Sequence, residues 1–275
     1  MAANGPIGVF DSGLGGLSVL RAMREQMPEE PVIYLADQAH VPYGPRPVEQ
    51  VRAFSEAITR YLLNRGARLI VVACNTASAA ALHHLRQGFP NVPFVGMEPA
   101  VKPAAEHTRT GVVGVLATPA TFQGALYASV VERFANGVVV LQDTCPGLVG
   151  QIERGNLEGP EARAILAAAL RPMLARGIDT VVLGCTHYPF VIPLIEQICG
   201  EGIRVIDPAP AVARQVRRVL EAAGSKLPSG TAAEVTYYTS GDVASFTHLL
   251  ETLIGREGEV RALAWSDDNQ GVILT

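Results

Sequence analysis

Two cysteines stand where thiols can do acid–base chemistry. In "LIVVACNTAS" (Leu69–Ser78) an apolar run of strand length ends at Cys74 and passes into an amide, a hydroxyl and small residues able to open a helix. In "GIDTVVLGCTHYP" (177–189) a second apolar run ends at Cys185, followed by Thr186 and His187. A thiol between a strand and a helix meets unpaired N–H groups and the positive end of the helix dipole, which lower its pKa from about 8.5. A single cysteine in such a place is usually a small buried hydrophobe. Two in matching surroundings, 111 residues apart, suit a reaction that needs a base on one face of a carbon and an acid on the other. Cys145 in "DTCPGLVG" and Cys199 in "VIPLIEQICG" lack that placement and read as packing residues.

The other polar residues near apparent strand ends are Asp11 and Ser12 in "DSGLGG", Asn75, Thr76, Thr118, Thr121, Thr186 and His187, with "HVPYGPR" as a further candidate loop. Hydroxyls, amides and backbone N–H groups of this kind can hold two carboxylates without a buried cation. The plainer reading makes Thr76 and Thr186 helix caps and His187 a structural hydrogen-bonding residue. "DSGLGG" followed by "VIYLAD" also invites a dinucleotide reading through Gly13, Gly15 and Asp37. Ser18 stands where the third glycine belongs, and Asp11 would oppose a pyrophosphate. Neither Lys102 nor Lys226, the two lysines of the chain, ends an apolar strand, so no Schiff-base lysine for pyridoxal phosphate is expected. No cluster has metal-ligand spacing, and no metal is expected.

Positioning such residues takes α/β architecture, and short apolar runs do alternate with amphipathic stretches. Strands are expected at 7–10, 32–36, 69–73, 94–96, 112–116, 138–142, 180–183 and 204–206. Helices are expected at 17–27, 48–64, 77–87, 120–134, 161–175 and 211–223. The strands are apolar enough for a mainly parallel sheet covered on both faces. The two cysteine motifs form one internal repeat, and "IGVFDSGLGGLSVL" with "VGVLATPATFQGAL" a weaker one, 107 residues separating Ile7 from Gly114. Two similar α/β lobes are therefore expected, with the active site in the cleft between them. The first would be discontinuous, residues 1–97 plus 208–275, and the second would span 98–207.

The chain has 275 residues, 48% hydrophobic and 17% charged, with a net charge of -4, which describes a globular protein without a basic footprint for nucleic acid. "MAANGPIGVF" lacks a secretory pattern, and no apolar run reaches a membrane span. A cytoplasmic protein with reduced cysteines is expected, with no membrane and no nucleic-acid partner.

"GVFDSGLGGLSVL", "PYG" at Pro42–Gly44, "ACNTASA" and "GCTHYP" together resemble the signature motifs of the glutamate racemases, and "LVGQIERG" resembles a family segment carrying an acidic residue, here Glu153. The resemblance implies interconversion of L- and D-glutamate without a cofactor, supplying D-glutamate for peptidoglycan, in a homodimer. It implies Cys74 and Cys185 as the acid–base thiols. Asp11, Ser12, Tyr43, Gly44, Asn75, Thr76, Thr186 and His187 would line the substrate site, and Asp11, His187 and Glu153 would tune or shuttle protons. Open alternatives are a racemase or isomerase of the same superfamily acting on aspartate, a hydantoin or a related small acid, an NAD-dependent dehydrogenase, and a two-lobed dicarboxylate-binding protein with incidental thiols.

Overall fold

A computed structural model describes residues 5–228, 230, 232–255, 258–266 and 272–274. Residues 1–4, which open the stretch read for a secretory pattern, and residue 229 in the turn region after the helix at 211–223 lie outside the described residues. The chain divides into two compact units, one of Met1–Met97 with Ala209–Thr275 and one of Glu98–Pro208.

In the first unit, β1 (Ile7–Asp11), α1 (Leu17–Gln26), β2 (Val32–Ala36), α2 (Val48–Asn64), β3 (Leu69–Val72), α3 (Asn75–Gly88) and β4 (Phe94–Gly96) alternate strand and helix. The second unit holds α4 (Val101–His107), β5 (Val112–Ala117), α5 (Pro119–Gln123), α6 (Ala125–Phe134), β6 (Val139–Asp143), α7 (Leu148–Glu153), α8 (Pro160–Ala175), β7 (Thr180–Gly184), a 3-10 turn (Tyr188–Val191), α9 (Ile192–Cys199) and β8 (Arg204–Ile206). The chain then returns to the first unit with α10 (Ala209–Ala222), β9 (Val235–Thr239), α11 (Val243–Ile254), β10 (Val260–Trp265) and β11 (Val272–Leu274).

The first sheet runs β11-β10-β9-β2-β1-β3-β4 and the second β6-β5-β7-β8. Every neighbouring pair is parallel except β10 with β11. β1, β2, β3 and β7 are buried at every position, as central parallel strands covered on both faces must be. Burying each Val, Leu, Ile or Phe of these strands contributes roughly 1.5–3 kcal/mol.

The order β2-β1-β3-β4 reappears as β6-β5-β7-β8, so the internal repeat is a repeat of topology. Its register differs by one residue from the sequence expectation. Ile7 pairs with Leu69 and Val113 with Thr180, and Leu69 and Thr180 each lie five residues before their cysteine. Val113 rather than Gly114 is thus the counterpart of Ile7. It follows that Asp11 corresponds to Ala117, Ser12 to Thr118, Asn75 to Thr186 and Thr76 to His187.

The helix expected at 120–134 is two helices, because Gly124 adopts an extended φ of -70° and ψ of 137° between α5 and α6. The short helices α4 and α7 went unanticipated, since six or seven residues do not display a helical period. Among the described residues no helix is long and apolar enough to cross a membrane.

Candidate active site

The first unit gathers Asp11, Ser12, Tyr43, Cys74, Asn75 and Thr76, all at most 5% exposed, while Gly44 is half-buried beside Tyr43. Asp11 ends β1, and its Oδ2 accepts the Gly16 N–H at 2.8 Å. The entry of α1, where a pyrophosphate would have to bind, is therefore engaged by the protein's own carboxylate. Gly16 permits this approach, since a Cβ there would lie 2.8 Å from Asp11 Cβ and 2.9 Å from the Tyr34 hydroxyl.

Cys74 leaves β3 in extended geometry and caps α3, its sulfur accepting the Ala77 N–H at 3.4 Å. The helix begins at Asn75, two residues before the expected Ala77, and the cap is Cys74 itself rather than Thr76. The Cys74 thiol also lies 3.7 Å from Ser12 Oγ. Asn75 is 4% exposed, and among the described residues neither its Nδ2 nor its Oδ1 meets a hydrogen-bond partner. Leaving such an amide unsatisfied costs about 1–3 kcal/mol. Tyr43 packs in the same apolar cluster as Cys74 and Ala77, and its hydroxyl donates to Asp37 Oδ2 at 2.7 Å. Burial and the neighbouring Asp37 carboxylate push its phenol well above the usual range.

The second unit gathers Glu153, Cys185, Thr186 and His187. Cys185 Sγ lies 3.7 Å from His187 Nδ1, and His187 Nε2 lies 2.6 Å from Glu153 Oε1. Cys185, Thr186 and His187 are buried, and the Glu153 side chain is 11% exposed. Burial alone would lower the His187 pKa, but the bonds to Cys185 and Glu153 outweigh it and hold the pKa well above 6.5. Cys185 differs from Cys74 in one respect the sequence comparison did not anticipate. A turn and the 3-10 stretch Tyr188–Val191 follow it instead of an α-helix, with Pro189 and Pro193 at the starts of the 3-10 stretch and of α9. The helix-dipole argument therefore applies to Cys74 and not equally to Cys185.

For Cys74 the expected direction of the pKa is reversed. Burial is the largest influence and the Asp11 carboxylate the next; both raise it well above 9.0, against the smaller lowering from the Ala77 N–H and Ser12. Since raising a thiol's pKa shrinks the thiolate fraction, Cys74 rests as a thiol at neutral pH. Alkylation of Cys74 by iodoacetamide, followed by peptide mass mapping, is expected to be slow at pH 7 and still climbing beyond pH 9. Asp11→Asn should accelerate it. A labelling rate that levels off below pH 9 would contradict this assignment.

Thr118 caps α5 through the Thr121 N–H at 3.3 Å, and its Oγ1 lies 3.0 Å from Thr121 Oγ1. Cys145 is buried with a positive φ of 43° and its N–H bonds Asp143 Oδ1, while burial raises the pKa of both Cys145 and Cys199. Among the described residues no group of three or more His, Cys, Asp or Glu side chains is placed to hold a metal ion. Within each unit the donors present, amide and hydroxyl groups in the first and hydroxyl and imidazole in the second, are of the kinds that can bond carboxylate oxygens.

The Asp/Glu/hydantoin racemase family model matches residues 7–216. A glutamate racemase of Roseiflexus sp. is 51% identical over 249 residues, covering 90% of this chain and 92% of its own. A glutamate racemase isoform from Bacillus anthracis superposes with a TM-score of 0.84 at 31% identity, covering 94% of this chain and 97% of its own. The Francisella tularensis glutamate racemase, solved in complex with D-glutamate, superposes with a TM-score of 0.82 at 28% identity over 97% of this chain and 99% of its own.

Proposed function

The chain belongs to the Asp/Glu/hydantoin racemase family, and on that premise we propose that it interconverts L- and D-glutamate without a cofactor, by proton transfer between the α-carbon and two thiols. One observation carries the two-thiol reading. Two units that share a four-strand order each carry a buried cysteine just past their third strand, five residues after the equivalent positions Leu69 and Thr180. The choice of glutamate is supported by the relative that is 51% identical.

The chemical difficulty is that an amino acid's α-hydrogen is a very weak acid, while a thiolate is only a moderate base. Charge developing on the α-carboxylate must therefore be met by donors fixed in advance. The buried Asn75 amide, Ser12, Thr76 and Thr186 are suited to that role, with Gly44 completing the lining beside Tyr43. One sulfur must begin as thiol and the other as thiolate. Cys74, held protonated by burial and Asp11, is suited to begin as the acid. Cys185, 3.7 Å from the His187 ring, is suited to begin as the base. In that direction Cys185 takes the α-proton and Cys74 returns one to the opposite face. The reverse reaction exchanges the roles. Asp11 and His187 serve as the groups that reset the two sulfurs, and Glu153 as the residue that holds His187 charged. The proposal extends to a cytoplasmic homodimer whose D-glutamate supplies peptidoglycan, as the resemblance implies.

The deciding experiment follows the loss of optical signal from L- and from D-glutamate by circular dichroism, with no cofactor added. Both signals are expected to decay to zero, with chelator or hydroxylamine present as in their absence. Activity toward aspartate or a hydantoin and none toward glutamate would move the protein elsewhere in its family. Recovery of a lost activity by pyridoxal phosphate or a metal would overturn the cofactor-free reading.

A further inference from the structure

Asp37 follows β2 and has no part in the chemistry proposed above, yet its side chain is completely buried. A buried carboxylate is costly unless donors surround it, and four do. Tyr43 Oη donates to Oδ2 at 2.7 Å, and His40 Nδ1 lies 2.9 Å from the same oxygen. Ser240 Oγ and Trp265 Nε1 donate to Oδ1 at 2.8 and 2.7 Å. These donors come from the loop after β2, the loop after β9 and the end of β10. All lie at the carboxyl ends of adjacent parallel strands, the edge where open α/β sheets bind ligands. The backbone continues the connection, since the Asp37 N–H bonds the carbonyl of Asp11 at 2.9 Å. His40 is itself fixed, stacked on Phe54 at 3.9 Å between centroids and edge-on to Trp265 at 4.8 Å.

We infer that Asp37 is a positioning residue: it fixes Tyr43, and with it the Pro42–Gly44 loop, beside Cys74 in the arrangement that binds substrate. The inference rests on the glutamate reading only for its choice of substrate. A phenol has one proton, and here that proton goes to Asp37. Toward a ligand, Tyr43 then presents an acceptor oxygen at a fixed place.

The donor set makes the test specific. In Asp37→Asn the amide has one acceptor and one donor end. The Trp265 indole N–H can only donate, whereas the phenol and Ser240 hydroxyls can also accept. The carbonyl end is therefore drawn toward Trp265, and the NH₂ end is left against Tyr43, whose hydroxyl must turn. The KM for glutamate is expected to rise about tenfold, the equivalent of one buried hydrogen bond, with kcat changed less than about threefold. Trp265→Phe alone should leave KM within about twofold of wild type, because it removes one donor and leaves Tyr43 bonded. Combining it with Asp37→Asn lets the amide turn its oxygen back to Tyr43, so the double variant should recover most of the lost KM. A merely structural Asp37 would give falls in melting temperature that add in the double variant, with no recovery of KM.

An unchanged KM in a folded Asp37→Asn protein, or no recovery in the double variant, overturns the inference. Should Asp37→Asn not fold, Tyr43→Phe decides: a KM equal to wild type overturns the inference, and a rise of similar size supports it. If the wild-type protein racemises another acid and not glutamate, the glutamate reading fails, and the same comparison of KM values on that acid still tests Asp37.

Discussion

Replacing Cys74 or Cys185 by alanine is expected to abolish racemisation while leaving each variant able to exchange the α-hydrogen of one enantiomer only. The reason lies in the count of acid–base groups. If one sulfur removes the proton and the other supplies its replacement, deleting either leaves a base without an acid, or an acid without a base. The loss should reach ~10⁴-fold, the upper end of what a positioned general acid or base contributes. The residual exchange should fall on opposite enantiomers in the two variants, measured by ¹H NMR in D₂O. The wild-type protein should place deuterium in the product early, while recovered substrate stays largely protiated, because the returning proton comes from the second, solvent-exchanged sulfur. A single base serving both faces would instead label both enantiomers or return the original hydrogen. Near-wild-type racemisation by either alanine variant would remove that cysteine from the mechanism. Both side chains are buried, and deleting one sulfur from a core of this kind removes little volume, so loss of fold is not the expected cause.

The second large effect is expected at His187. Its Nδ1 faces Cys185 and its Nε2 faces Glu153, so His187→Asn removes the ring beside the sulfur and its link to Glu153 Oε1. A fall in kcat on the order of 10²–10³ is expected, larger for the direction in which Cys185 is the base. Glu153→Gln should act more gently and in a pH-dependent way. Glu153 is one of the groups that raise the His187 pKa, against burial, which lowers it. Without that carboxylate the pKa falls, and activity that needs the imidazolium should decline at a lower pH than in wild type. The linked stability has the same sign. A pKa raised on folding gives a contribution fully present below 6.5, the ordinary histidine value, and lost as pH rises through the raised one. Thermal melts across this range should show wild type losing stability toward alkaline pH and Glu153→Gln losing less. Identical pH–rate profiles for wild type and Glu153→Gln would show that Glu153 has no hold on the ring.

Much of this was legible in the sequence because a parallel sheet advertises itself. Runs such as "LIVV" and "TVVL" are apolar on both faces, so their ends, and the cysteines that follow, could be placed within a residue. Residue chemistry at those ends was legible for the same reason. The energetic environment was not. The spacing around Cys74 suggested a lowered pKa, but burial and Asp11 lie outside any local window and reverse the direction. Cys185 looked like Cys74 until Pro189 was seen to open a 3-10 stretch and Pro193 the separate helix α9. Asp37 suggested a nucleotide ribose from its position after a strand. Its actual partners include Ser240 and Trp265, more than two hundred residues away, and no period or motif connects them.

The order in which the chain is made gives the two units different histories. Glu98–Pro208 is one continuous stretch, and its synthesis is finished before that of the 57 residues from Ala209 to Trp265 that carry α10, β9, α11 and β10 of the first unit. At 5–20 residues per second that interval lasts about 3–11 s. Throughout it the outer edge of β2, destined to pair with β9, presents a row of unpaired N–H and C=O groups on a strand without a charged side chain, an invitation to pair with another nascent chain. α1 waits as well, since the helix that covers it, α10, belongs to the same late segment. The Asp37 carboxylate likewise gains two of its four donors only when Ser240 and Trp265 emerge. The unit that carries Cys185 can therefore be finished while the one that carries Cys74 still lacks the strands that close its sheet beyond β2.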